Sequence, residues 1–502
     1  MATRREAIGR LASLAAAAAL GPSAWADGSA GTRRPNILFI MSDDHTSQAW
    51  GCYGSRLAPY APTRHIDRLA AEGAALENCF CTNAICVPSR ATIMTGQYSH
   101  MNGAKTLGGS LSPDTDNVAK RLQAAGYRTA LIGKWHLKEP PAGFDHYEVL
   151  HGQGRYHDPI LWSGSDDWDG PGTAHEGHST DVITSRALRW LDRAAPEPFA
   201  LMCHYKAVHE PFYGPERYRH LLKDVDLPEP ADLLWPESPR DKVFDGWPLE
   251  ILMERFLRNP HRYSPPPLDV AGLDEHGKRR ATYQKFIHDY LRCVAGIDDN
   301  VGRLLRWLDR SGLSEDTLVI YTSDQGYFLG EHNLFDKRFM LEESLRMPFV
   351  ARYRLEIPPG LRVDDLVTNV DFAETLLDFA GAEIPGDMQG RSFRPCLRGE
   401  SPADWRDAVY YHYWTHQPTR PSHYGVRTRR YKLIYYYGLV REGRRPGDCW
   451  ELYDLDRDPH ERANVIDHPR YRARVLELKA ELRRLREQYG DTADPLAAPF
   501  GA

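Results

Sequence analysis

The sequence predicts an α/β fold: a large, mainly parallel mixed sheet flanked by helices, followed by a smaller C-terminal antiparallel sheet with a helix. Short apolar runs bounded by turn residues recur along the first 385 residues. Between them lie stretches with apolar residues at helical spacing, and such alternation builds parallel sheets. After Pro385 the pattern changes to short, aromatic-rich strands with turns between them, then an amphipathic stretch.

The apolar runs are Asn36–Met41, Arg128–Gly133, Pro198–Cys203, Thr317–Thr322 and Pro348–Tyr353. Runs of this length read as buried strands. A helix over Thr63–Glu77 sets Ile66, Leu69 and Ala70 on one face. A second, Asp298–Leu313, repeats Val301, Leu304, Leu305 and Leu308 at helical spacing. Pro211–Glu275 is rich in Pro and charge and reads as an excursion over the surface. In the last part, Ala408–Trp414, Tyr424–Thr428, Tyr431–Tyr437 and Glu451–Leu455 read as strands and Arg470–Tyr489 as a helix. The expected division is residues 1–26, 27–385 and 386–502.

Residues 1–26 carry the marks of a signal peptide. Thr3-Arg4-Arg5 precedes the apolar run Leu11–Leu20, and Ala24-Trp25-Ala26 supplies small residues for cleavage. The arginine pair fits the twin-arginine route, although Glu6 and Ala7 depart from its ideal motif and leave the general route open. Ten apolar residues are too few to span a bilayer. The expectation is an exported protein, periplasmic or secreted, with no membrane span after cleavage. Removing Arg4, Arg5, Arg10 and Glu6 takes the net charge from −6 to −8. That balance, with no basic stripe, argues against a nucleic-acid partner. An anionic substrate must therefore be held by a local basic pocket. Eight cysteines are scattered without a zinc-type pair, and most read as buried free thiols.

In parallel α/β sheets ligands lie beyond the carboxyl ends of strands. The first run ends in Asp43-Asp44, the second in Lys134-Trp135-His136. The third leads to His204 and His209, the fourth to Asp324-Gln325. Asp43, Asp44, Asp324 and Gln325 are hard oxygen donors suited to calcium or magnesium. Taken alone, an Asp pair at a strand end more often caps a turn; the second acidic motif at another strand end favours a metal site. Cys86-Val87-Pro88-Ser89-Arg90 opens a helical run, which puts Cys86 at a helix N-terminus where an anion is favoured. Arg90 lies one turn on.

Cys86-x-Pro88-Ser89-Arg90 followed by Met94-Thr95-Gly96 closely resembles the signature of the type I, formylglycine-dependent sulfatases of the alkaline phosphatase superfamily. The resemblance continues through Gly133-Lys134-Trp135-His136, Ser323-Asp324-Gln325-Gly326, Leu329-Gly330-Glu331-His332, Asp336-Lys337 and Leu452-Tyr453-Asp454-Leu455. It implies that a maturation enzyme oxidises Cys86 to formylglycine. It further implies that Asp43, Asp44, Asp324, Gln325 and the modified Cys86 bind Ca2+. Arg90 would steady the aldehyde, Lys134 and Lys337 would contact sulfate, and His136 and His209 would handle protons. His100 and His332 lie beside motifs and read as supporting residues.

Asp289–Cys293, Asp298–Gly302, Phe335–Phe339 and His423–Thr428 are similar to N-acetylglucosamine-6-sulfatase-like, mucin-desulfating enzymes. The resemblance implies a sulfated carbohydrate, favouring a 6-O-sulfated amino sugar. The segment Tyr410–His423, with His412, Tyr413, Trp414, His416 and His423, is expected to select the sugar, with His412 and His423 binding it; packing of an aromatic strand is the equal alternative. Rival readings are a phosphate or phosphonate ester hydrolase, and a non-catalytic glycan-binding protein on the same scaffold.

Overall fold

The computed structural model describes residues 34–195, 198–234, 246–417, 420–437 and 450–493. The expected signal peptide and Cys449 lie outside the described residues.

The first apolar run forms β1, Asn36–Asp43, at the centre of a ten-stranded sheet. In chain order the other strands are β2 (Ala74–Leu76), β3 (Arg128–Lys134), β4 (His146–Leu150), β5 (Ile160–Ser163), β6 (Thr173–Ala174), β7 (Phe199–Val208), β8 (Thr317–Ser323), β9 (Phe349–Arg352) and β10 (Leu361–Val363). The spatial order is β10-β2-β9-β8-β1-β7-β3-β4-β5-β6. From β8 across β1, β7 and β3 to β4 the pairings are parallel. Antiparallel pairings flank this core, as β9 against β8 and β5 against β4. The sheet is thus mixed, with a parallel centre.

Period-two alternation in β1 feeds two cores. Ile37, Phe39 and Met41 pack with Val87, Ala91 and Phe372 on one face. Leu38 and Ile40 pack with Ile66, Leu69, Val301 and Leu304 on the other. A strand buried on both faces needs a continuous apolar run, which β1 has.

Two helices differ from expectation. The first, α1, is Arg64–Glu72, and residues 74–76 form β2 instead of a continuing helix. Gly73 makes the break, because a Cβ there would lie 2.1 Å from the Ala351 carbonyl oxygen. The helix expected over Asp298–Leu313 is the end of a 37-residue helix, Glu275–Ser311, about 55 Å long. Gly296 and Gly302 interrupt its apolar pattern, and Pro215 and His65 pack against their bare Cα atoms. The stretch 211–275 is more than a surface excursion. It contains the helix Leu249–Arg258, and Leu227, Leu233, Leu249, Leu252 and Phe256 are buried.

The C-terminal sheet is a four-stranded antiparallel meander: β11 (Ala408–Tyr413), β12 (His423–Thr428), β13 (Tyr431–Tyr436) and β14 (Trp450–Asp454). The helix Arg472–Tyr489 covers one face with Leu478, Leu482 and Leu485, meeting Ala408 and Tyr410. Val409, Tyr411 and Tyr413 point the other way, into the main core. That second face is bonded to the loops carrying the site. His412 N donates to Thr82 O at 3.0 Å, and Ala84 N to the Tyr411 hydroxyl at 3.2 Å.

Candidate active site

The carboxyl ends of β1, β3, β7 and β8 converge. A register shift between Met41 and Asp43 breaks the β1–β7 ladder where the chain leaves the sheet, a device that re-aims side chains beside functional sites. Gly133, just before Lys134, has φ +112°, and a Cβ there would sit 1.9 Å from His204 O. Only glycine lets β3 approach β7 that closely. Non-glycine residues in the left-handed region gather here: Asp44, His136, Lys138, Asp336 and Arg338. Each such residue costs on the order of 1–3 kcal/mol and persists where the surroundings enforce it.

Cys86 opens the helix Cys86–Thr95, every residue of which is buried. Its Sγ lies 3.4 Å from Asp43 Oδ1 and 3.9 Å from Gln325 Nε2. Oxygens of Asp43, Asp44 and Asp324 lie within 4.8 Å of one another, and all three residues are fully buried. Positive groups interleave them. Lys134 Nζ donates to Asp43, Arg90 Nε to Asp324 Oδ2 at 2.9 Å, and Lys337 Nζ to both Asp44 oxygens at 2.6 Å. Arg90 also binds Lys134 O at 2.8 Å, tying the helix to β3.

Burial and charge divide the carboxylates. Burial would raise Asp43, but Lys134, His209, Arg90 and Lys337 together hold it well below the usual range. Burial outweighs the cations at Asp44, raised to about 7, and at Asp324, raised to about 6. Burial, then Asp43, pushes the Cys86 thiol up to about 12, so the unmodified side chain is a poor thiolate. Burial, then Lys134, lowers His136 to about 2. Burial, then Lys337, lowers His209 well below its usual value. His136 is therefore neutral. His136 Nδ1 is buried without a hydrogen-bond partner among the described residues. His209 Nδ1 meets Glu210 O at 2.8 Å, and Nε2 lies 3.8 Å from Asp44 Oδ2.

The donor set fits a hard divalent cation. Three carboxylates face one another, and Gln325 Oε1 is buried with no hydrogen-bond partner among the described residues.

The structure thus brings together Cys86, Arg90, Lys134, His136, His209, Lys337, Asp43, Asp44, Asp324 and Gln325. It does not bring His412 and His423 to them. His412 is buried, with Nδ1 2.6 Å from Asp491 Oδ2 and Nε2 2.5 Å from the Tyr437 hydroxyl. His423 meets Pro421 O with Nδ1 and accepts from Met340 N at 3.2 Å with Nε2. Both rings spend their nitrogens inside the fold, which favours the packing alternative over sugar binding. His100 likewise bonds Tyr489 O, and His332 lies near Asp232 and Glu343.

Gln153 and Asn369 join the site without a motif in the sequence, and neighbouring motif residues complete its hydrogen bonds. Gln153 Oε1 accepts from Lys134 Nζ at 2.6 Å. Asn369 Nδ2 donates to Ser89 Oγ, which in turn donates to Asp324 O. The Tyr290 hydroxyl donates to Asp44 O at 2.5 Å. Asp336 Oδ2 accepts from Arg338 Nε at 2.7 Å on either side of Lys337. Gln153 and Asn369 come from elements outside the motifs they meet, and only folding joins them. A 380 Å³ cavity opens in front of His209, lined among others by Gln153, Tyr156, Lys206 and Tyr213.

Comparison with known proteins agrees with this geometry. The sulfatase family model matches residues 35–382, and that for the C-terminal part of N-sulphoglucosamine sulphohydrolase matches residues 330–488. An N-acetylglucosamine-6-O-sulfatase of Bacteroides thetaiotaomicron is 40% identical over 508 aligned positions, covering 92% of this chain and 88% of that protein. Human N-acetylglucosamine-6-sulfatase is 27% identical, covering 76% of this chain and 68% of that one. A solved structure of a protein in complex with its substrate D-glucosamine-2-N,6-O-disulfate superposes with a TM-score of 0.83 at 38% identity, covering 93% of this chain and 100% of that one. A phosphonate monoester hydrolase from Silicibacter pomeroyi shares the fold, with a TM-score of 0.71 at 24% identity, covering 91% and 96%. On the match over residues 35–382 and the 40% identity across nearly the whole chain, this protein belongs to the sulfatase family and is a sulfuric ester hydrolase.

Proposed function

We propose that the protein removes a 6-O-sulfate from an N-acetylglucosamine-type sugar of a glycan, with formylglycine made from Cys86 as nucleophile and Ca2+ as cofactor. The observation that carries this is the Cys86 side chain at a helix N-terminus, 3.4 Å from Asp43 and ringed by Asp44, Asp324, Lys134, Lys337 and Arg90. The 40% identical relative, an N-acetylglucosamine-6-O-sulfatase, supports the choice of sugar.

Calcium held by Asp43, Asp44, Asp324, Gln325 and modified Cys86 would polarise the sulfate and offset its charge. The hydrated aldehyde would supply one hydroxyl as nucleophile and a second whose deprotonation expels sulfate. Lys134, Lys337 and Arg90 neutralise charge developing on sulfate oxygens. His136, neutral and with Nδ1 unpartnered among the described residues, accepts the proton from the second hydroxyl. His209 faces the leaving alcohol; an entering sulfate anion favours its protonated form, and Lys337 shares the charge on that oxygen. Each positioned acid or base contributes about 100- to 10,000-fold.

The same reading gives residues 1–26 as a cleaved export signal, residues 27–385 as the catalytic domain and 386–502 as its C-terminal support. Among the described residues no helix is long and apolar enough to cross a membrane.

Peptide mass mapping around Cys86 in protein from the native host is expected to find the aldehyde. Fully active protein with intact thiol overturns the mechanism. Matched sulfate and phosphate esters then separate this reading from phosphoester hydrolysis: the expected result is a higher kcat/KM for the sulfate.

A further inference from the structure

A chain that folds before Cys86 is oxidised keeps its thiol, and that thiol has neighbours of a different chemistry from the carboxylate set. Sγ lies 3.4 Å from Asp43 Oδ1. One ligand atom from each of Cys86, Asp43 and His209 lies within 4.8 Å of the other two. Sulfur, imidazole nitrogen and carboxylate oxygen are the donors of a three-ligand zinc site, whereas hard cations take oxygen alone. Zinc bond lengths set tetrahedral donors roughly 3.3–3.6 Å apart, and the sulfur–carboxylate pair already has that spacing.

The remaining valences are already sorted. Lys134 takes Asp43 Oδ2, which leaves Oδ1 toward the sulfur. His209 Nδ1 meets the Glu210 carbonyl oxygen at 2.8 Å. A carbonyl only accepts, so Nδ1 carries a proton and the neutral ring holds a lone pair at Nε2. A backbone bond of this kind fixes the tautomer of metal-binding histidines. Nε2 stands 3.8 Å from Asp44 Oδ2. Two acceptors that face each other in a buried site need a proton or a cation between them. Cys86 and Asp43 are buried, the His209 side chain is 20% exposed, and His209 lines the 380 Å³ cavity, which gives an ion its way in.

We propose that a folded chain with the Cys86 thiol intact binds Zn2+ through Cys86, Asp43 and His209, with an oxygen donor in the fourth position. Zinc displaces the thiol proton to solvent and binds the thiolate. Asp43 is thereby withdrawn from the calcium set, so the zinc-bound chain excludes Ca2+. Oxidation of Cys86 removes the one soft donor and turns the site from zinc to calcium. The exclusion of Ca2+ rests on the proposed calcium reading; the zinc site does not.

The test uses full-length protein made in a host without the maturation enzyme, its thiol verified by peptide mass. Zn2+ affinity is read by competition with a chromogenic chelator, and Co2+ serves as the spectroscopic probe. Zn2+ is expected to bind about 100-fold more tightly than Ca2+, and Co2+ to give a thiolate-to-metal charge-transfer band. Cys86→Ser abolishes the band and weakens Zn2+ about 100-fold, and His209→Gln weakens it about tenfold. Unchanged Zn2+ affinity in Cys86→Ser, or no band in the thiol protein, overturns the proposal. Should Cys86→Ser fail to fold, zinc X-ray absorption on the wild-type chain decides. A sulfur shell at about 2.3 Å is expected in the thiol form and absent from aldehyde-bearing protein; a shell of oxygen and nitrogen alone, or sulfur in both forms, overturns it. An aldehyde missing from native-host protein defeats the formylglycine mechanism and leaves the zinc site standing. Zn2+ bound without Cys86 defeats the zinc site and leaves the mechanism standing.

Discussion

Lys337 Nζ lies 2.6 Å from each oxygen of Asp44, so one buried ammonium spans both lone-pair sets of one carboxylate. The adjacent Asp43 has its own lysine, Lys134, approaching from β3. Each aspartate of the pair is thus matched to a cation from a different part of the chain. On the proposed mechanism, replacing Lys337 by Met removes charge stabilisation at the sulfate. The expected loss in kcat/KM is about 100- to 1000-fold, checked by steady-state kinetics. Asp44 then keeps its raised pKa or rises further, and the protein still folds.

Chelation is expected to abolish activity, and Ca2+ to restore it. Asp44 and Asp324, raised to about 7 and about 6, bind protons in competition with the ion. Calcium affinity should therefore climb as pH rises from 5 to 7.5 and then level. The same groups set the stability of metal-free protein. Their folded pKa lies above the unfolded value, so their contribution is complete below about pH 4 and is lost as pH rises through about 7. Thermal melts with and without Ca2+ across this range check both: the gap between the two curves should widen with pH.

His412→Ala and His423→Ala are expected to lower the melting temperature and to reduce turnover of a sulfated sugar and a small aryl sulfate by the same factor. Each ring satisfies two buried partners, and leaving one such group unpaired costs about 1–3 kcal/mol. Burial lowers His412 to about 4, so its neutral form is the folded one. Its contribution is present above the unfolded value near 6.5 and is lost as pH falls toward 4. A selective loss on the sugar alone would return these residues to the substrate site.

Gly133→Ala places a methyl group against His204 O and forces an L-residue to φ +112°. The expected cost is about 2–4 kcal/mol, read from denaturant unfolding. Activity should fall further than stability explains, because Lys134 is the next residue. A fully active, equally stable variant would show that β3 can give way.

The parallel centre of the sheet was legible because strands buried on both faces must be continuously apolar, as β1 is. The cluster of Asp43, Asp44 and Asp324 with Cys86 beside it was legible because each residue sits at the end of such a strand or at the start of the Cys86 helix. What the sequence hid is pairing across distance. Gln153 and Asn369 are ordinary polar residues until Lys134 and Ser89 reach them. The sequence left two readings of His412 and His423 for the opposite reason: aromatic and imidazole groups serve a sugar site and a packed sheet equally well. Only the positions of Asp491, Tyr437 and Met340 decide between them.

Cys86 is 1% exposed, and Ala84 beside it donates to Tyr411, 327 residues later. Another protein's catalytic centre has no access to a thiol enclosed on that scale. The strand that helps to close the loop is also among the last to be synthesised or threaded through a translocase. Under the proposed conversion of Cys86 to formylglycine, the order of chain emergence would work as a timer: chemistry at position 86 would have until the arrival of Tyr411 to finish, and slowing synthesis between the two should raise the fraction of chains converted.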